Sequence, residues 1–384
     1  MYSKWNLPVF LVPKKLGKYR FVCDSRMLNR VSQPDPYELP NISHLLDKLS
    51  ETKYLSTLDL HQSYFQVGLH PESQPYTAFT YNGKRYQFLR MLQGHKTSSA
   101  QFSRLMSQLF SKVPFQNFLH FVDDLLVGAN TVQTHIARLD YILNKLCEAN
   151  LKLSPEKCKL FRDRVNYLGL TISSKGVEID EDRVKAIKSL KVPSTIKETQ
   201  KIIGIFSYNR KYIPSFQKII QPIQNLIKKG SKFQWTKSCD LAFAQLKREI
   251  TEAPVLIIPD PSLPFVVTFD ASCKGFGGHL QQRKEENGPL RTVAYFSKAV
   301  PIHMRNWPAT KLEFVAMHTI LSKWRMYLQG SKLVTVNTDC KALLHFDRIF
   351  AKSNAAMQRK LASLAGFNLK INHISGESNV VSDF

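Results

Sequence analysis

Phe121-Val122-Asp123-Asp124-Leu125-Leu126-Val127 sets two adjacent carboxylates between short β-forming runs, Phe118 to Val122 before them and Leu125 to Val127 after. The pattern predicts a hairpin with Asp123 and Asp124 at its turn. Aspartate is a common turn residue, so an isolated stretch of this kind is most simply an acidic turn. The residues around it change that reading. Upstream, Tyr54 to Leu60 reads as a strand that carries Asp59 between Leu58 and Leu60. A carboxylate in such a setting is costly unless it is paired or binds a metal. If the two strand ends adjoin, three carboxylates meet, and a cluster of hard oxygen ligands suits Mg²⁺. Two such ions would stabilise the attacking and leaving oxygens of an in-line phosphoryl transfer.

The flanks predict an antiparallel sheet backed by helices. Val9 to Pro13 and Tyr19 to Cys23 form a hairpin around the basic turn Lys14-Lys15-Leu16-Gly17-Lys18, with Arg20 behind it, a tip able to grip a triphosphate. Helical spacing appears at Ile42, Leu45, Leu46 and Leu49, over Thr97 to Phe110, and at Ile136, Leu139, Leu143 and Leu146. Further strands are predicted at Gln87 to Gly94, Leu151 to Leu153, Lys159 to Phe161 and Tyr167 to Ile172.

Charge points to the partner. The 384 residues carry 54 Lys and Arg against 30 Asp and Glu, a net charge of +24. Between Arg183 and Arg248 stand 15 basic and 2 acidic residues, so more than half of the excess is local. A polyanion such as nucleic acid is the natural partner. No run of ~18 apolar residues predicts a membrane span, and no signal-peptide pattern opens the chain. Six scattered cysteines without CxxC spacing predict reduced, buried thiols in an intracellular setting.

From Glu181 to about Pro254 the pattern is helical, with stripes at Val184, Ile187 and Leu190, at Ile202, Ile203, Ile205 and Phe206, and at Phe243, Leu246 and Ile250. The aromatics Tyr208, Tyr212, Phe216 and Trp235 are expected in the core. A second carboxylate set follows: Asp270 ends the β run Phe265 to Phe269, and Gly275 to Gly278 is expected as a tight hairpin. Glu313 lies in the first turn of a helix over Thr310 to Leu328, where Thr310-x-x-Glu313 also fits a capping box. Asp339 ends the run Leu333 to Thr338, and the last strand, Phe367 to Ile374, leads to Asp383. These four would converge in a mixed sheet as another two-metal arrangement.

These residues, in this order, carry a family resemblance. Lys18-Tyr19-Arg20 to Asp24, Arg26 and Asn29; Leu58-Asp59-Leu60 to Tyr64 and Gln66; Gln93-Gly94; Phe121-Val122-Asp123-Asp124; and Tyr167-Leu168-Gly169 resemble the reverse transcriptase of gypsy-class LTR retrotransposons. Thr268 to Ser272, Lys311-Leu312-Glu313, Asn337-Thr338-Asp339 and His373 to Asp383 are similar to the RNase H domain attached to it. The resemblance implies an α+β right-hand polymerase fold: fingers and palm over 1–180, a basic helical thumb and connection over 181–258, and an α/β RNase H-like domain with a mixed sheet over 259–384. It implies that Asp59, Asp123 and Asp124 hold the polymerase metals. Asp270, Glu313, Asp339 and Asp383 would hold those of RNA hydrolysis, with two Mg²⁺ per site and Mn²⁺ as an alternative. Lys18, Arg20, Tyr64 and Gln93 would bind the dNTP, Tyr64 stacking under its sugar. Tyr167, Leu168, Gly169, Arg210 and Lys211 would hold primer and template.

His373 is expected as a strand-end core residue. Thr97-Ser98-Ser99 stands where the family usually has Asn-Ala-Pro, and Phe121 replaces the commoner Tyr.

The implied partners are RNA template, DNA primer, RNA–DNA hybrid and dNTPs, with no membrane and with a homodimer allowed. Protease and integrase segments are expected outside this stretch of a longer polyprotein, in a cytoplasmic virus-like particle. The rival expectations are a non-catalytic nucleic-acid-binding remnant and a polymerase that copies DNA alone.

Overall fold

The chain divides into two compact units, Met1–Leu168 and Gly169–Phe384. The structure is a computed structural model that describes residues 3–379 apart from 14–16, 18, 47–48, 51, 229, 231–232 and 286–287. Lys18 and Asp383, two of the candidate site residues, lie outside the described residues.

In the first unit β1 (Val9–Pro13) and β2 (Tyr19–Cys23) pair antiparallel, as the two apolar runs around a basic turn predict. Helices α1 (Arg26–Val31) and α2 (Ile42–Leu46), strand β3 (Tyr54–Asp59) and the hairpin β4 (Phe79–Tyr81) and β5 (Lys84–Tyr86) follow. Then come α3 (Ser98–Leu109), the hairpin β6 (Phe118–Phe121) and β7 (Asp124–Ala129), α4 (Val132–Glu148), β8 (Lys159–Arg162) and β9 (Arg164–Tyr167). The order β6-β7-β3-β8 puts β3 inside a four-stranded antiparallel sheet. Phe102 and Met106 of α3, Leu139, Ile142 and Leu146 of α4, and Leu58, Leu125 and Val127 of the strands share one buried cluster. Leu125 is fully buried, and cutting such a side chain to alanine costs about 2–5 kcal/mol.

Three local expectations are corrected here. Gln87 to Gly94 and Leu151 to Leu153 form no strands; they carry isolated bridges, Gly68 to Arg90 and Leu60 to Leu153. The buried face of α4 is His135, Leu139, Ile142 and Leu146, while Ile136 and Leu143 are exposed. A polar pair sets that rotation: His135 Nε2 lies 2.7 Å from Ser56 Oγ, which in turn accepts the Phe161 N–H at 3.0 Å. Hydrophobic periodicity does not register a buried histidine.

The second unit opens with the hairpin β10 (Leu170–Ser173) and β11 (Gly176–Ile179). Four helices follow: α5 (Glu181–Lys188), α6 (Ile196–Tyr208), α7 (Phe216–Asn225) and α8 (Lys237–Thr251). Asp180 and Thr195 accept backbone N–H groups at the starts of α5 and α6, the side-chain capping their residue types favour. Tyr212 and Phe216 are buried as expected, whereas Tyr208 is exposed with the Arg183 guanidinium 4.7 Å from its ring centroid.

Beyond them lie β12 (Phe265–Ala271), β13 (Gly275–Gln282), β14 (Arg291–Ala299), α9 (Ala309–Lys323) and α10 (Arg325–Leu328). The chain continues through β15 (Val334–Thr338), α11 (Phe346–Ala351), α12 (Ala355–Leu364) and β16 (Leu369–His373). The sheet order β14-β13-β12-β15-β16 is mixed, antiparallel up to β12 and parallel beyond it. Phe265, Val267 and Phe269 of β12 and Phe314 and Met317 of α9 fill its core. Gly275 to Gly278 is strand rather than turn, the reversal lying just before it. Gly278 has a packing reason: an added Cβ would stand 3.1 Å from Ile320 and 3.3 Å from Trp324.

All six cysteines are free, but Cys147 and Cys273 are exposed, so the thiols are not uniformly buried. No helix among the described residues is long and apolar enough to cross a membrane.

Candidate active sites

The hairpin of β6 and β7 turns on Val122 and Asp123, since Phe121 pairs with Asp124. Asp124 is therefore the first strand residue rather than a turn residue. Across the β3–β7 ladder Asp59 is its direct partner, so both carboxylates start from the same end of the sheet. The Leu60 N–H donates to the Asp123 carbonyl at 3.2 Å and ties the turn to β3. Ser63 Oγ donates to Asp123 Oδ2 at 3.3 Å. The structure thus brings Asp59, Asp123 and Asp124 together, as the sequence predicts. Burial first, then the charges of Asp123 and Asp59, push the Asp124 carboxyl up to about 6, against the pull of Lys157.

Beside the carboxylates is a cavity of about 310 Å³ lined by Tyr19, Arg20, Phe21, Phe65, Gln93, Asp123 and Lys157 among others. Arg20 and Gln93 both line this cavity. Tyr64 is not in this wall: its hydroxyl is 2.9 Å from Ser99 Oγ and its ring is 5.7 Å from that of Phe102. Phe65 supplies aromatic surface instead. Sequence reasoning missed Lys157, whose Nζ donates to Asp59 Oδ1 at 2.8 Å across 98 positions. Such a pairing has no local signal.

Tyr167 is 3% exposed, and its hydroxyl donates to the Asp124 carbonyl at 3.2 Å. A buried phenol of this kind braces the site from within. Leu168 and Gly169, both with positive φ and half-buried, form the turn after it. Arg210 is exposed, while Lys211 is half-buried with its ammonium 5.2 Å from the Tyr212 ring centroid.

The second site lies in the second unit. Asp270 near the end of β12, Glu313 in α9 and Asp339 just after β15 offer ligand atoms all within 4.8 Å of one another. β12 and β15 are parallel neighbours, so their C-terminal ends coincide. Glu313 is 6% exposed, and its Oε1 accepts the Ala271 N–H at 3.1 Å. That overturns the capping-box alternative: Pro308 occupies the cap, and Glu313 faces the sheet. Burial first, then Asp270 and Asp339, push the Glu313 carboxyl up to about 8. His373 is exposed at the end of β16, opposite Thr338, rather than in the core. Asn379 is buried and donates to the Phe269 carbonyl at 3.2 Å, holding the turn at Gly376–Asn379 beside Asp270.

Both donor sets are composed of oxygen and suit a hard divalent cation. At the second site Glu313 Oε2 is buried without a hydrogen-bond partner, the kind of atom a bound cation would satisfy. At the first, one lysine faces three carboxylates, so negative charge remains to be balanced.

Residues 12–172 match the reverse transcriptase (RNA-dependent DNA polymerase) family, and residues 235–336 match the RNase H-like domain found in reverse transcriptase. The retrovirus-related Pol polyproteins of transposons 297 and 412 of Drosophila melanogaster are 31% and 33% identical over 99% of this chain. The alignments take in 36% and 31% of those proteins, so the chain spans about a third of their length. Among solved structures, a foamy viral protease-reverse transcriptase in complex with double-stranded DNA superposes with a TM-score of 0.86 at 26% identity, covering 97% of this chain and 66% of that one. A foamy viral protease-reverse transcriptase in complex with an RNA/DNA hybrid gives 0.76 at 26% identity, covering 98% of this chain and 51% of that one. The ordered motifs, the two carboxylate sets at their sheet ends and these likenesses agree: the chain belongs to the reverse transcriptases of gypsy-class retrotransposon Pol polyproteins, with an RNase H-like region following the polymerase region.

Proposed function

We propose that the chain is an RNA-directed DNA polymerase coupled to an RNase H that cuts the RNA strand of RNA–DNA hybrids. The observation that carries this reading is the register of β3 against β7, which sets Asp59 opposite Asp124 beside the Arg20 and Gln93 cavity. Asp59, Asp123 and Asp124 would hold divalent ions at the first site, and Asp270, Glu313, Asp339 and Asp383 at the second. We take Mg²⁺ as the working ion, with Mn²⁺ as a substitute. Ions bound there would supply positive charge to the attacking and leaving oxygens of phosphoryl transfer.

The chain's own groups do the rest. Arg20 and Lys18 pair with the phosphates of a dNTP, and Gln93 and Phe65 shape its pocket. Tyr64, held by Ser99, backs the sugar side. The primer 3′-oxygen bonds to the α-phosphorus, and pyrophosphate leaves. Exposed basic residues of α5 to α8, and Arg210 in the turn between α6 and α7, neutralise the duplex backbone without reading sequence. In functional terms we divide the chain into fingers and palm (1–180), thumb and connection (181–258) and RNase H (259–384). RNA template, DNA primer and further Pol segments such as protease and integrase are its proposed partners, inside an intracellular particle.

Primer extension on poly(rA) with Mg²⁺ tests the first site. Extension by the wild type, lost in Asp123→Asn with hybrid binding retained, is the expected result. Binding without extension at any enzyme concentration would identify a non-catalytic remnant, and extension on DNA templates alone would identify a DNA-copying polymerase. Cleavage of a labelled hybrid, abolished by Asp270→Asn, tests the second site.

A further inference from the structure

Lys157 sits where the metal site and the nucleotide cavity share a wall. Its ammonium is 2.8 Å from Asp59 Oδ1, and its side chain also lines the cavity with Arg20, Gln93 and Asp123. The fold puts it there. Its 3-10 turn, Pro155–Lys157, is clamped to the end of β3 by the Ser154 N–H, which donates to the Asp59 carbonyl at 2.8 Å. Just before the turn the His61 N–H donates to the Lys152 carbonyl at 2.8 Å, and the Lys152 N–H donates to Gln66 Oε1 at 2.6 Å. The backbone is anchored, and the long side chain, 58% exposed, is left to move.

An ammonium and a divalent ion on one carboxylate oxygen repel each other, so the two compete for Asp59 Oδ1. A half-exposed pair of this kind is worth about 0.2–1 kcal/mol, so a divalent ion displaces it at small cost. The released ammonium then stands at the rim of a cavity that Arg20 already marks for anionic groups.

We propose that Lys157 is an exchangeable counter-ion: it holds Asp59 while the site is metal-free, yields that oxygen to the arriving cation, and then pairs with the phosphates of a nucleoside triphosphate. The nucleotide half rests on the polymerase reading; the metal half does not.

Mn²⁺ titration of the full chain, read from the free-ion electron paramagnetic resonance signal, tests it. An Asp270→Asn, Asp339→Asn background confines binding to the first site, and Asp59→Asn marks the loss of that site. Without nucleotide, Lys157→Met should bind Mn²⁺ about two- to fivefold more tightly than its parent, the factor corresponding to the lost pair. With Mn²⁺ present it should bind dATP about tenfold more weakly, the loss of one charge-assisted contact. Lys157→Arg should keep the nucleotide affinity, and Lys157→Gln, with circular dichroism to check folding, should repeat the methionine result. Unchanged or weaker Mn²⁺ binding in both neutral variants overturns the exchange, and unchanged dATP binding overturns the phosphate contact. If the wild type fails to extend a primer, the polymerase reading falls while the Mn²⁺ result stands. If it extends and both titrations are flat, only this inference falls.

Discussion

Glu313 shows what a single residue can report. Its carboxyl is pushed up to about 8 from an ordinary 4.5, so the metal-free folded protein holds a proton there that the unfolded chain releases near 4.5. This carboxyl's contribution to folded-state stability is therefore full below about 4.5 and falls as the pH rises to about 8, because the unfolded state binds fewer protons across that window. Asp124 adds a decline of the same sign between 3.8 and about 6. Denaturant titrations in a chelator should show this decline, Glu313→Gln should flatten its upper part, and added Mg²⁺ should restore stability. A metal-free profile that rises over the same range would contradict the site's electrostatics.

Ser99 gives a second prediction at this scale. Removing its hydroxyl leaves the Tyr64 phenol without its 2.9 Å partner. Ser99→Ala should cost about 1 kcal/mol of unfolding free energy and raise ribonucleotide incorporation relative to deoxyribonucleotide. Unaltered discrimination would separate Tyr64 from sugar selection. Asp123, Asp270 and Asp339 are legible because each ends a β-forming run, a pattern a few residues long. Lys157 and Phe65 were not, since one depends on a partner 98 positions away and the other on which of two adjacent rings turns inward.

At the scale of elements, hydrophobic patterning found the strands that carry carboxylates and most of the helices, and it erred where polar or small residues set the geometry. The stripe of α4 was misjudged because His135 is buried by its bond to Ser56. Small residues over Gly275 to Gly278 predict a turn because such residues usually mean one; in the fold Gly278 lets α9 lie close on β13. Gly278→Ala should then destabilise the protein by about 1–3 kcal/mol, as overpacking does, with urea midpoints as the measure. An exposed turn glycine would give no such loss. The β6–β7 turn carries its own constraint, because Val122 has a φ of 54°, a left-handed value that a β-branched residue rarely adopts. Its side chain is also buried among Leu58, Leu125 and Val127, so packing holds the backbone in that form.

For the whole molecule, charge is the property most directly readable from composition, because it needs no contacts. Affinity for an RNA–DNA hybrid should fall steeply with salt, linearly on logarithmic axes. Exposed Lys197 and Lys201 lie in the basic stretch on α6. Replacing both with glutamine should weaken binding uniformly across sequences and reduce the slope by up to about 2. An unchanged slope would place the duplex elsewhere.

The strand order β6-β7-β3-β8 has a consequence in time. Asp59 gains its neighbour Asp124 only when β3 pairs with a segment 65 positions later, and Lys157 joins only as β8 closes the sheet. Pairings of such long sequence separation form late and slowly. On the ribosome, Asp59 therefore emerges before the groups that make it a ligand. The nascent chain cannot take up metal at this site until residues well past 124 have emerged, and chemistry begins only after synthesis of the whole sheet.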